Sequence, residues 1–287
     1  MKNTLSLALI IASTSMSFAQ QEPEADMYWN RMVHYNPASI GLNEKTAVNL
    51  HGRNQWSGLN GAPKTLTFNA AQKVEAVHGA VGVSFEHDQI GYSNMQTALL
   101  NYAFHIPIKE CVLSIGASAG LTRFHNKANW IPPQTTPDPM LPQTFTDYNF
   151  HSDAGIVFHH SKFNVGVAAT QINEAKFGRD NSVYYNQVVH YNAFADYTFK
   201  LGEHVSLKPQ CMVMTDAVKL NVNAALMAII NDKIWFGGNY SNENTFGAFA
   251  GYDFFNRFRV GYGISYIKTL NLSTYSHEAV LSFLLKN

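Results

Sequence analysis

From about residue 46 to the C-terminus, apolar side chains recur at every second position, in stretches of about ten residues separated by Gly, Asn, Asp, Pro or Lys clusters. A period of two sends alternate side chains to opposite faces of an extended chain, whereas a helix requires a period of 3.6. Ala98, Leu100, Tyr102, Phe104 and Ile106 share one face, with Thr97, Asn101 and His105 on the other, and Pro107 ends or edges the strand. In the next stretch Leu113, Ile115, Ala117, Ala119 and Leu121 alternate with Ser114, Gly116, Ser118, Gly120 and Thr122. The pattern predicts about fourteen strands, near residues 46–54, 64–72, 78–87, 96–107, 111–123, 149–160, 162–171, 188–200, 203–215, 218–230, 232–240, 245–254, 257–268 and 275–286.

The fold class is therefore all-β, and two architectures compete. Sandwich strands average about five to six residues and show Lys and Glu to solvent, but several strands here reach ten or more, and their second face is Gly, Ser, Asn and Thr. Length sufficient to cross a bilayer at a tilt, an even strand number, and short turns alternating with long loops describe a transmembrane antiparallel outer-membrane β-barrel. The long loops are expected at 124–148 and 172–187, the first carrying five of the chain's ten prolines, Pro132, Pro133, Pro137, Pro139 and Pro142. Tyr184, Tyr185, Tyr191 and Tyr252 are candidates for interfacial girdles. Outside the first twenty residues no apolar run approaches the length of a spanning helix.

Composition fits this reading. Of 287 residues, 46% are hydrophobic but only 14% charged, against a usual ~25%. The 20 basic residues balance 20 acidic ones, and no segment gathers cations into a stripe, so nucleic acid is not an expected partner. Lys2, the apolar run from Leu5 to Ala12 and the small-x-small Ser17-Phe18-Ala19 form a secretory signal peptide over residues 1–19. A lead-in segment, 20–44, then precedes the barrel, 45–287. Cys111 and Cys211 form no disulfide framework and are expected unpaired, in buried apolar positions.

The sequence contains no Gly-x-Ser-x-Gly elbow, Walker loop, His-Glu-x-x-His or Cys-x-x-Cys pair. His159 and His160 are adjacent, so on a strand they face opposite ways and cannot chelate one ion, and His87-Asp88 and His277-Glu278 share that defect. The expectation is a protein that is not an enzyme and carries neither metal nor cofactor.

Around the first and last strands the residues resemble the PorP/SprF family of outer-membrane proteins, associated with type IX secretion and gliding motility. The matching features, in order, are Asn36-Pro37-Ala38 with Gly41, then Arg53-Asn54-Gln55-Trp56-Ser57-Gly58, then Gly61-Ala62-Pro63-Lys64-Thr65. Gly79, Gly82, Asp88-Gln89-Ile90-Gly91 and Ser276-His277-Glu278 complete the set, which spans nearly the whole mature chain. Tyr240-Ser241 departs from it, because a Tyr-Arg pair is expected there. The resemblance implies an accessory barrel that helps export, or hold at the surface, large secreted proteins such as adhesins by binding their C-terminal region, with secretion-machinery components and outer-membrane lipid as partners. A porin or hydrophobic-solute transport barrel is the competing reading, although charges are scarce on the small-residue faces, where a selective pore requires them.

Several of these residues also have a direct physical reading. Pro37 restricts Asn36 to extended geometry and Gly41 permits a turn, so residues 34–42 form a shaped lead-in, either a clasp at the periplasmic end or a partner contact. Arg53, Gln55 and Trp56 sit where the first strand gives way to a Gly-rich turn holding Gly58 and ending at Pro63. Asp88, just before Gly91, is the expected ion-pair partner of Arg53.

Overall fold

The computed structural model describes residues 23, 25–127, 144–179, 182–268 and 273–286. The expected signal peptide, residues 1–19, and the proline-rich part of the first long loop lie outside the described residues. The strands are Glu44–Asn54 (β1), Lys64–Val74 (β2), Gly79–Ile90 (β3), Ser93–Ile108 (β4), Cys111–Asn126 (β5), Phe145–His160 (β6), Phe163–Thr170 (β7), Lys176–Arg179 (β8), Ser182–Asn186 (β9), His190–Tyr197 (β10), Phe199–Lys200 (β11), Val205–Thr215 (β12), Leu220–Ile230 (β13), Ile234–Ser241 (β14), Thr245–Phe254 (β15), Phe258–Lys268 (β16) and Ser273–Lys286 (β17). Each wall strand pairs antiparallel with its neighbours; β1 pairs with β17 and β10 with β12, which closes the sheet into a barrel without a free edge. Because β11 continues β10 past Thr198, and β8 and β9 form a separate hairpin, the barrel has 14 strands.

Alternation sorts the side chains as the sequence predicts. On β4, Ala98, Leu100, Tyr102 and Phe104 point outward, Leu100 being 71% exposed, while Thr97, Leu99, Asn101 and Ala103 are buried in the lumen. On β5, Ser114, Ser118 and Thr122 line the interior and Ile115 and Leu121 the outside. An apolar exterior of this kind is a lipid-facing wall. His159 hydrogen-bonds Asn164, whereas His160 stacks on Phe163.

The two ends of the barrel differ. One carries the short turns at 75–78, 109–110, 161–162, 231–233 and 255–257, together with Glu44 and Lys286 at the strand ends. Outward aromatics meet in pairs there, Tyr197 on Phe199 and Phe258 on Phe283. The other end carries the longer connections, including 55–63 and 171–189. In the second of these the sequence reading missed the β8–β9 hairpin, which buries Phe177 against Phe124 and Phe145 and stacks Tyr185 on Phe124 at 5.2 Å. Tyr185 is therefore packed within the loop cluster, while Tyr191 and Tyr252 lie on the outer wall. Cys111 and Cys211 are free but half-buried, not buried as expected, because Cys211 lies on the outward face of β12.

Candidate functional site

Residues 25–42 run through the lumen instead of lying at its rim. The segment has three short turns, a 3-10 turn at Tyr28–Arg31, one α turn at Met32–Tyr35 and a second 3-10 turn at Pro37–Ser39. No single turn is stable alone, so burial against the wall must hold them. Met27 packs with Met227, Trp235, Phe249 and Val280; Tyr28 and Tyr35 join Val157, Phe194, Met212 and Met214; Val33 and Ile40 meet Ala80 and Ala103.

The Asn36-Pro37-Ala38 motif is the tightest contact. Asn36 caps the second 3-10 turn, its Oδ1 accepting from the Ala38 N–H at 3.0 Å, while Pro37 supplies the fixed φ that starts the turn. The Asn36 Nδ2 donates to the carbonyls of Ile156 at 3.2 Å and Val167 at 3.0 Å, stitching the plug to β6 and β7. Space for this exists because Gly116 and Gly155 face each other across β5 and β6. A Cβ on Gly155 would lie 2.2 Å from the Asn36 Oδ1, and one on Gly116 2.3 Å from the Ala38 nitrogen. Gly41, at φ +71°, turns the chain toward β1 where a Cβ would strike Ala80. Ser114 Oγ donates to the Ala38 carbonyl at 2.7 Å.

Charge holds the other end of the plug. Glu278 is fully buried on the inner face of β17, in register opposite Arg53 of β1. Its carboxylate accepts from the backbone N–H of Asp26 at 2.6 Å and of Met27 at 2.9 Å, and from Arg53 Nη1; His51 Nε2 lies 3.2 Å away. Arg53 also donates to Asp26 Oδ2 at 2.7 Å, and Asn239 donates to Asp26 Oδ1 at 2.9 Å. A second pair lies deeper along the plug: Arg31 Nη2 donates to Glu86 Oε2 at 2.5 Å, its guanidinium above the Tyr35 ring. Burial, and next the Arg31 charge, hold the neighbouring His34 imidazole neutral, well below its ordinary pKa.

The expected Arg53–Asp88 pair does not form. Asp88 is buried but accepts from Thr65 Oγ1 at 2.6 Å, two strands away from Arg53, while barrel closure brings β17 beside β1 and gives Arg53 its carboxylate there. Charged residues are also more frequent inside than the sequence suggested, and the clusters described are paired. His277 and Glu278 separate: His277 accepts or donates with Tyr262 on the outer wall at 2.6 Å. Gln55, Trp56, Gly58 and Pro63 build the β1–β2 loop, in which Gln55 N–H donates to the Pro63 carbonyl and Trp56, at φ +53°, donates its N–H to Ser276 Oγ. Gly91 N–H donates to the Gly61 carbonyl, packing the β3–β4 turn on that loop. The sequence reading did not single out Asp26, Arg31, His34, His51 or Glu86. The one available signal was Met27-Tyr28-Trp29 and Met32-Val33, an apolar stretch ahead of the first strand with no strand period.

A cavity of about 30 Å³ remains above the plug, lined by His34, Ser84, Glu86, Thr97, His151 and Asp153 among others. It has room for a water or two, not for a solute. His151 and Asp153 hydrogen-bond at 2.9 Å, but nothing at this spot presents a nucleophile with a base and a substrate-sized space.

No curated protein sequence matches the chain. Among solved structures it is similar to the Acinetobacter baumannii outer membrane protein Omp33, with 13% identity, TM-score 0.52, and coverage of 85% of this chain and 100% of that one. It is also similar to the Ralstonia pickettii toluene transporter TbuX, at 10% identity and TM-score 0.53 over 88% and 92% of the two chains. A third is the Pseudomonas putida toluene transporter TodX, at 9% identity and TM-score 0.50 over 86% and 91%. These likenesses establish the outer-membrane barrel fold and nothing finer. The profile of the family described as type IX secretion system membrane protein PorP/SprF matches residues 17–283. With that match over nearly its full length, the chain belongs to the PorP/SprF family of type IX secretion system membrane proteins, as an integral barrel of the outer membrane.

Proposed function

We propose that this barrel is a non-catalytic recognition element of type IX secretion, which binds the C-terminal region of a large secreted protein, such as an adhesin, and helps hold it at the surface together with other components of the machinery. The observation that carries this reading is the occupied lumen. Residues 25–42 are buried inside the barrel and anchored by Glu278, Arg53 and Asn36, which leaves the loops of the long-loop end as the surface open to a protein partner. A closed barrel offers no edge for strand addition, so recognition uses those loops, with the Trp56 side chain and the Gly58 backbone of the β1–β2 loop among the contacts.

Two measurements test it. Purified barrel in detergent should bind the isolated C-terminal domain of a secreted substrate of the same organism, and should recover secretion-machinery components by affinity capture from cells. In a planar bilayer the intact barrel should give no solute-selective conductance. Selective conductance without substrate binding would overturn the proposal in favour of a transport barrel.

A further inference from the structure

The outer wall is not uniform around the barrel. Along each strand toward the long-loop end, the last apolar outward residues of β2, β3 and β5 are Leu66, Phe85 and Leu121, all exposed to lipid. The next outward positions of β3 and β5 are His87 and Arg123, with Gln96 between them on β4, and one outward step further toward that end stands Lys64 of β2, in register with Gln89. Gln96 is opposite both His87 and Arg123 in register. It braces the row: Arg123 Nη1 donates to Gln96 Oε1 at 3.3 Å, and Gln96 Nε2 meets His87 Nδ1 at 3.2 Å. His125 stands one outward step beyond Arg123. No Asp or Glu occupies any outward position of β2 to β5, and among the described residues neither Lys64 nor Arg123 has a carboxylate partner. Strands beyond the β1–β17 seam end differently, with Tyr240, Phe246 and Leu220 at the corresponding outward positions and, on β16, Tyr266 followed by Lys268.

Below this basic row the same strands carry an apolar groove of about 420 Å³, lined by Val48, Ala70, Val81, Gly82, Val83 and Leu100. Its lower edge is the outward pair Thr46 and Gln72, with Thr46 Oγ1 donating to Gln72 Oε1 at 2.6 Å. Gln96 and Leu100 are four residues apart, or about 13 Å along the strand, within the reach of one acyl chain below a headgroup. In outer-membrane barrels the short turns face the periplasm, which puts the basic row at the outer leaflet.

We infer that this wall is a binding site for one phosphate-bearing lipid of the outer leaflet, with its phosphate on Arg123 and Lys64 and an acyl chain in the Val48–Leu100 groove. A planar guanidinium held by Gln96 presents its remaining N–H groups as a fork that fits phosphate oxygens. The site faces lipid and is separate from the lumen plug.

The test uses the purified full barrel in non-ionic detergent, native mass spectrometry, and lipid A as the probe, in its diphosphorylated and enzymatically dephosphorylated forms. The intact protein should retain one diphosphorylated lipid A at least tenfold better than the dephosphorylated form. The K64Q/R123Q pair should lose that advantage, and Lys268→Gln, on β16 beyond the β1–β17 seam, should not. Ala70→Phe, which fills the groove, should weaken retention of both forms. Heat-modifiable gel migration verifies that each variant is folded, and Arg123→Lys serves as a gentler variant expected to keep part of the selectivity. Equal retention of the two lipids, an unaltered K64Q/R123Q pair, or an equal loss in Lys268→Gln would overturn the assignment.

Discussion

Replacing Glu278 tests whether the plug is held by charge or merely trapped. The carboxylate accepts two backbone N–H bonds from Asp26 and Met27, at 2.6 and 2.9 Å, and pairs with Arg53. Glu278→Ala leaves those two donors without that acceptor and takes from Arg53 one of the two carboxylates, Asp26 being the other, that it bonds at this site. An unsatisfied buried donor costs about 1–3 kcal/mol, and breaking a buried ion pair about 3–5 kcal/mol. The terms overlap, so about 4 kcal/mol is expected. At about 1.4 kcal/mol per decade this is a roughly thousandfold rise in the local opening constant of the plug. Hydrogen exchange at the amides of residues 26 to 31 reads it directly, with β4 and β5 amides as a control for the barrel itself. Glu278→Gln keeps the shape and one acceptor and should lose about half as much. A double-mutant cycle with Arg53→Met should show coupling above about 1 kcal/mol. Exchange in Glu278→Ala within threefold of the natural chain, or strictly additive effects in the cycle, would refute the reasoning.

Further predictions concern the other contacts of the plug. Asn36→Ala removes two hydrogen bonds to wall carbonyls and a cap, and should destabilise the segment by about 2–3 kcal/mol, seen as protease cleavage after Arg31 while the barrel keeps its gel shift. Gly155→Val puts a side chain into the Asn36 seat and should displace the plug, raising conductance in a planar bilayer above that of the natural chain. His34 stays neutral when buried, but an unfolded chain protonates it near pH 6.5. The unfolded state then binds the extra proton, so the hold of the plug should weaken as pH falls through about 6.5, by at most about 1.4 kcal/mol per pH unit. Subtracting the profile of His34→Gln isolates this contribution in exchange experiments. Asp88→Ala should leave plug protection unchanged, because Asp88 bonds Thr65 and not Arg53.

Strand number and facing were legible because both rest on a local period. Alternation of Leu113 through Thr122 needs no knowledge of distant strands, and a lipid-facing barrel leaves few other places for so many exposed apolar residues. Pairing between distant strands is a different matter. Arg53 was matched to Asp88 by nearness in sequence, whereas closure of the barrel sets β1 against β17 and places Glu278 directly opposite. Closure pairs the inward charges of β1 with those of β17 just as it pairs the strands, so the Arg53–Glu278 pair follows from strand order and facing. The plug was hidden for another reason. Its turns of three or four residues have no period long enough to detect, and its stability comes from wall residues more than a hundred positions away, as with Asn36 on Val167.

The small residues of the inner face acquire a different meaning once the plug is in place. In sequence, Gly116, Ser118 and Gly155 suit a wet or crowded lumen equally well. A wet lumen makes no demand for a missing Cβ, since water fits around alanine or serine. Close approach of a backbone does make that demand, and Gly116 and Gly155 lie where the Asn36-Pro37-Ala38 turn presses on the wall. Gly116 and Gly155 are thus placed where the lumen segment touches, and Glu278, Arg53 and Glu86 where its backbone N–H groups and side chains need partners. An interior shaped in this way is a socket for residues 25–42, and any role in secretion has to be built on a barrel whose inside is already engaged.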